Sequence, residues 1–432
     1  MQRQSPTAVY RTLCSFPFRL KAPKCGNLHL SRVKISALIA ALLCTAMLGC
    51  GLALLGPGFI NVVSLTEHPF ELWLFFLAPT LGLMLALCFL FLPSIIGINV
   101  VVFCALWAAA EIMYGAVSHP LVVEGDPQPL RAETYVKLDP RVGYVLVPNN
   151  EARHRELING AIAYDVRYII DALGRRKVET PHSPGADRFM LFFGDSNTFG
   201  EGLAQGDTLP DEMQRRWPQW VAYNYGVHGY GIAQMLDVIA TRDLPRELGK
   251  KHGITFYYFI PAHMDRLVGS SLVAPSWGRH FSYYRLAPNG APLRLADFAH
   301  GRPLLTLAYG LLSHSNVIRH YGVTFPLHYS DADYALAAAI VAQSRDFLEK
   351  MFALDGFYFV MSPTIGAEQA ERSAKISAAL RRRGIAVIDL TTALDLKERR
   401  YRVADDDYHQ SGEANRIIAD RISAAIESKL SN

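Results

Sequence analysis

Three apolar runs crowd the first quarter of the chain and constrain everything after them. Residues 35–56 and 72–92 carry no charged side chain, and residues 98–117 carry only Glu111. Each run is long enough to cross a bilayer as a helix. Pro93 and Gly97 break the apolar stretch between the last two and read as a tight turn. The segment before the first run holds Arg3, Arg11, Arg19, Lys21, Lys24, Arg32 and Lys34 and no acid, while the loop at 57–70 holds only Glu67. Basic residues stay on the cytoplasmic side, so the N-terminus is expected there and the chain after about residue 118 outside. A cleaved signal peptide competes for the first run, against a long basic leader and two further runs. Met47-Leu-Gly-Cys50 faintly resembles a lipoprotein cleavage site. Glu111 has two readings, a functional intramembrane acid or an acid snorkelling to the interface.

The rest of the 432 residues is enough for at least one further structural unit. The formal charge of +4 is too small to point to nucleic acid. All six cysteines, at 14, 25, 44, 50, 88 and 104, lie in the first quarter. No Cys/His spacing suggests a zinc site, so neither metal nor cofactor is expected.

Four segments follow from these patterns: a basic cytoplasmic 1–34, three membrane helices within 35–117, a β-rich lead-in and linker at 118–187, and a domain from 188 to 432. In the lead-in, Tyr144–Pro148 and Tyr164–Ile170 cluster β-formers, Asp171–Gly174 reads as a turn, and His182–Asp187 as a linker. From 188 onward short apolar strands alternate with helices. Strands are expected at Phe189–Phe193, Val221–Tyr225, Ile254–Ile260, Phe357–Met361 and Ile385–Asp389. Helices are expected at Leu209–Trp217, 231–243, 332–353, 366–383 and 411–429. This alternation indicates an α/β fold with a five-stranded parallel sheet covered on both faces. Residues 265–330 fit it poorly and read as a long insertion.

In such a sheet a site belongs at the carboxyl ends of the strands. The first strand runs straight into Gly194-Asp-Ser-Asn-Thr-Phe-Gly200. A serine on that turn lies beside free amide hydrogens of the following helix, which can stabilise an oxyanion. Serine needs a base to act as a nucleophile. Asp405-Asp-Asp-Tyr-His409, just before the last helix, supplies an imidazole with a carboxylate three residues away. Asp406 is the expected partner of His409, with Asp405 and Asp407 as alternatives. Triads of this kind are recognised by roles and geometry, not by sequence order.

Gly-Asp-Ser-x-Thr-x-Gly after the first strand, Asn224-Tyr-Gly-Val-His-Gly229 after the second, and Asp-x-x-His before the last helix together resemble the SGNH (GDSL) hydrolase family over roughly 188–430. The resemblance implies a doubly wound sandwich with Ser196 as nucleophile, His409 as base and Asp406 as acid. It further implies an oxyanion hole from the amides of Ser196 and Gly229. The third strand of the family usually ends in Asn-Asp, whose asparagine is a further oxyanion donor. Here it ends in Ile260-Pro-Ala-His-Met-Asp-Arg266, which leaves His263 as the stand-in or as a structural residue. Asp195 is expected to fix the turn and Asn224 to brace the loop between the first and second strands. His228 is expected in the pocket wall, and Tyr230 and Trp277 either line a cleft or pack.

The expected activity is ester chemistry on the outer face of a bacterial inner membrane, on ester-bearing envelope or exported glycans or on lipids. Two alternatives are an O-acyltransferase fed by a membrane partner and a binding or scaffold protein with an impaired site.

Overall fold

The computed structural model describes residues 134–430 without a break, the helix at 94–117, short strands at 123–124 and 128–129, and isolated positions at 39, 41–43, 45, 82, 83 and 87. The chain divides into two compact units, Met1–Leu106 and Trp107–Asn432. The expected spans at 35–56 and 72–92 lie largely outside the described residues. The third falls on helix α1, Ser94–Val117, which starts before 98 and takes Gly97 into the helix. Side chains of α1 are described at 99 and 102–115. Counting described residues alone, no helix is long and apolar enough to cross a membrane.

The lead-in forms two antiparallel hairpins. Strands β1 (Val136–Asp139) and β2 (Gly143–Leu146) make the first, and β3 (Glu151–Ile158) and β4 (Ala161–Ile169) the second. The chain then enters the main sheet at β5 (Arg188–Phe193) and continues through the short helix α2 (Ser196–Phe199) and α3 (Leu209–Arg216). Strand β6 (Trp220–Asn224), helix α4 (Ile232–Thr241), strand β7 (His252–Phe259) and helix α5 (His263–Val268) follow.

The insertion holds the hairpin β8 (Ser282–Leu286) and β9 (Pro292–Asp297) and the helices α6 (Pro303–Ser313) and α7 (Asn316–His320). The wound pattern resumes with α8 (Asp331–Met351), β10 (Ala353–Met361), α9 (Gly366–Arg381) and β11 (Ala386–Asp389). A small hairpin, β12 (Arg402–Ala404) and β13 (Asp407–Gln410), leads into α10 (Gly412–Leu430).

The main sheet runs β11-β10-β7-β5-β6 with every pairing parallel. Counted along the chain and read from the β6 edge, that order is 2-1-3-4-5, with a topological switch point beside the first strand. Each strand is apolar on both faces because both are covered. In β5, Phe189, Leu191 and Phe193 enter one core, while Met190 and Phe192 enter the other. The first core takes α4 and α8 through Ile232, Leu236, Ile340 and Leu348, and the second takes α3 and α10 through Met213, Ile418, Ile422 and Ile426. Helix starts are fixed locally: Thr208 accepts from the Asp211 amide, and Ser330 and Asp333 form a reciprocal capping box.

The lead-in is fused to this body. Tyr135, Leu146, Ala152, Tyr168 and Ile170 belong to the first core. Arg176 continues the chain into a bridge with Asn224 at the end of β6.

Candidate active site

Ser196 stands where the sheet topology places a site, at the carboxyl end of β5 and the first turn of α2. The turn is nearly closed, with Ser196 only 5% exposed. Asp195 caps the helix by accepting from the Asn197 amide at 3.0 Å. Its other oxygen takes a hydrogen bond from Arg266 at 2.9 Å and lies 3.3 Å from His263 Nε2. Burial opposes ionisation of Asp195, but the facing His263 ring and Arg266 guanidinium hold it well below the usual carboxylate range. Asp195 is therefore committed to shaping the turn.

The histidine expected as base arrives from 213 residues downstream: His409 Nε2 lies 2.8 Å from Ser196 Oγ. Its Nδ1 lies 2.6 Å from Asp407 Oδ1, and the same carboxylate oxygen accepts the His409 backbone amide at 2.9 Å. The partner is thus Asp407 and not Asp406. The expected loop is in fact a hairpin, with 405 and 406 in its turn and 407–410 in β13. On a strand, residues two apart share a face. Asp407 and His409 therefore line up, while Asp406 is exposed at the turn.

The Asn224 side chain ties the second motif to the helix that carries Ser196 and braces its own turn. Asn224 Nδ2 donates to the carbonyls of Thr198 and Phe199 at 2.9 and 3.3 Å, and Asn224 Oδ1 accepts from the Gly226 amide at 2.9 Å. A Cβ on Gly226 would come within 2.4 Å of the Phe199 amide nitrogen and 2.7 Å of Thr198 Cβ. Gly229 has φ +73°, and a Cβ there would meet the Tyr144 hydroxyl and the Trp277 ring. The insertion thus brings Trp277, half exposed, against Gly229. Tyr230 is buried and donates to the Tyr144 carbonyl, so it packs against the lead-in.

His263 is fully buried. Its Nδ1 lies 2.8 Å from the Tyr257 hydroxyl and its Nε2 faces Asp195. Both nitrogens are directed at these groups, so the ring takes the structural alternative and not the oxyanion one. Burial lowers its pKa and favours the neutral ring.

Two groups escaped the sequence reading. Glu201, just past the first motif, places Oε2 2.6 Å from His228 Nδ1 and 3.5 Å from His409 Nε2. Burial opposes its charge, but His228 and His409 hold it well below the usual range. For His409, burial pulls the pKa down, and Glu201, Asp407 and Asp195 together push it up to about 9. The signal was an acid between two glycines, Gly200-Glu-Gly202, directly after the serine turn. The second group is Arg176, almost fully buried. It donates to the carbonyls of Phe199, Gly200 and Leu203 and to Gln205 Oε1, with its guanidinium 4.6 Å over the Tyr168 ring. It clamps the loop that carries Glu201.

Glu111 also has a defined place. Its carboxylate accepts from the Ser315 hydroxyl and from the Asn316 amide at 2.6 Å, capping α7. Among the described residues no His/Cys/Asp/Glu group is arranged to hold a metal ion.

No family model matches the sequence, and no curated protein does. Solved structures similar to the chain include a member of the lipolytic protein G-D-S-L family from Veillonella parvula, at 10% identity and TM-score 0.31 over 56% of this chain and 98% of that one. A Clostridium thermocellum family 3 carbohydrate esterase matches at 11% identity and TM-score 0.33, over 56% and 96%. A carbohydrate esterase family 2 enzyme with a carbohydrate-binding domain, from Corynascus thermopiles, matches at 12% identity and TM-score 0.33, over 72% and 89%. Likeness at this level carries no argument about chemistry, which rests on the strand order and the distances above.

Proposed function

We propose that this chain is a serine esterase of the SGNH (GDSL) kind, anchored by its N-terminal helices. Its site would face outward from a bacterial inner membrane, toward O-acyl esters of envelope glycans or lipids. The observation that carries the reading is the line Ser196 Oγ, His409 and Asp407, joined at 2.8 and 2.6 Å at the carboxyl end of the first sheet strand.

In this reading neutral His409 takes the Ser196 proton through Nε2 as Oγ bonds to the ester carbonyl carbon. Asp407 holds Nδ1–H and stabilises the imidazolium that forms. The tetrahedral oxyanion is met by the amides of Ser196 and Gly229. It collapses as the ester C–O bond breaks, and His409 returns its proton to the departing alkoxide. Water, deprotonated by His409, then attacks the acyl-serine, breaks its C–O bond and restores the hydroxyl of Ser196. The chemistry needs no group beyond these side chains and water.

Labelling with a fluorophosphonate probe tests the reading. The full-length protein should label and Ser196→Ala should not. Asp407→Asn should slow labelling and turnover by on the order of 10⁴-fold, as loss of an orienting carboxylate does in other serine hydrolases. Asp406→Asn, at the exposed turn, should change either by less than about threefold. A folded wild type that does not label would overturn the proposal, and equal losses at 406 and 407 would overturn the assignment of the acid.

A further inference from the structure

Helix α6 is built inside out. A surface helix normally turns its apolar stripe to the core and its polar residues to water. Here Thr306 faces inward, 7% exposed, with its hydroxyl donating to the Phe298 carbonyl at 2.9 Å. Outward stand Leu304, Leu307, Ala308 and Leu311, spaced i, i+3, i+4 and i+7, with the leucines 81, 57 and 48% exposed. Single exposed leucines need no explanation, but a contiguous stripe at helical spacing marks a contact surface.

Two independent observations say what covers it. Helix α7 begins just after α6 and is held by α1, through Glu111 at its N-terminus and through Tyr114, whose hydroxyl lies 2.6 Å from that of Tyr321. A Cβ on Gly115 would meet the Asn316 side chain at 2.7 Å, so the two helices are in close contact. The adjoining turn of α1 is itself apolar and exposed, with Ile112 73% and Met113 53% accessible. The leucine stripe is therefore tied to the outer end of the helix read as the last anchor. The second observation is charge. No acidic residue occurs between Asp297 and Asp331, while Arg319, His320 and His328 are exposed there.

We propose that the insertion lies on an anionic bilayer surface, seating the α6 leucines among the acyl chains beside the exit of α1. An amphipathic helix of this kind buries its apolar face about 5–10 Å below the headgroups. Anionic headgroups attract an exposed arginine such as Arg319, and Glu111, the acid that meets α7, is engaged in capping it. The docking rests on the reading of α1 as an anchor and extends it. Because Trp277 of the same insertion packs against Gly229, a docked insertion holds the serine site at the membrane surface, which favours esters presented there.

The full-length protein, with native cysteines replaced, is reconstituted into phosphatidylcholine–phosphatidylglycerol vesicles carrying shallow nitroxide lipids. An environment-sensitive fluorophore is attached in turn at Leu307→Cys, Ile112→Cys and, as a water-exposed control, Glu349→Cys. Quenching at 307 several-fold stronger than at 349 is expected. Quenching at 112 with none at 307 keeps the anchor and overturns the docking. Quenching at 307 without 112 removes the anchor on which the docking rests, and the proposal falls with it. A 307 fluorophore that is sheltered but not quenched is covered by protein, a second copy included, and the proposal falls.

Discussion

In the proposed mechanism, Glu201 should set the pH at which Ser196 works. A base must be neutral to accept a proton, and His409 is flanked by two carboxylates, Asp407 on Nδ1 and Glu201 near Nε2. With its pKa near 9, the imidazole is mostly cationic at neutral pH, so kcat/KM should climb through that region. Glu201→Gln removes one anion and should move the acid limb down toward the ordinary histidine value of 6.5, read from a pH–rate profile. The sign for stability is opposite. His409, raised in the folded state, stabilises the protein fully below 6.5 and loses that contribution as pH passes about 9. Glu201, lowered in the folded state, contributes above about 4.5 and loses it on acidification. His263 belongs to the same scale. His263→Ala leaves the buried Tyr257 hydroxyl without its partner and the Asp195 oxygen to Arg266 alone, which should cost about 1–3 kcal/mol in chemical denaturation. Turnover by the folded fraction should fall far less than the 10²–10³-fold expected on loss of an oxyanion donor. Ser196 and His409 were legible because the motif spacing names them. Asp407 was not, because choosing among three consecutive aspartates depends on whether the backbone is loop or strand.

At the level of elements, the parallel strands were legible for a physical reason: a strand covered on both faces must be apolar throughout, and such short runs stand out. The helices around them announce themselves by their caps and apolar faces. Residues 265–330 broke the pattern because α6 turns leucine outward and because β8–β9 pairs only with itself. The motif after β6 shows how close the elements come. Gly226 has no positive φ, so space alone requires glycine, with the amide of Phe199 in the way of any side chain. Gly226→Ala should therefore push α2 and Ser196 off position. The expected cost is about 1–3 kcal/mol of overpacking. Loss of turnover should exceed the loss of folded protein measured by circular dichroism.

On the scale of the whole molecule, the lead-in and the catalytic sheet share one core, and Arg176 is the residue that joins them at the site. Its guanidinium gathers the carbonyls of Phe199, Gly200 and Leu203 in one buried clamp. Arg176→Ala should lower stability by roughly 2–4 kcal/mol, read as a fall in melting temperature. It should also loosen the Glu201 loop, so that the pH profile of the surviving activity broadens toward that of Glu201→Gln. Sequence patterns showed the lead-in as β-rich but could not show this fusion, because a buried arginine looks like any other arginine in a string of letters.

The distance in sequence between Ser196 and His409 has a further meaning during synthesis. The strand that presents the serine lies beside the middle of the sheet and is made early, whereas the imidazole comes from the last hairpin. A nascent chain therefore carries Ser196 through about half of its synthesis with no His409 beside it. On the proposed mechanism, a chain halted before β13 should be silent. The Ser196–His409 contact forms only when residues 407–410 close against α2.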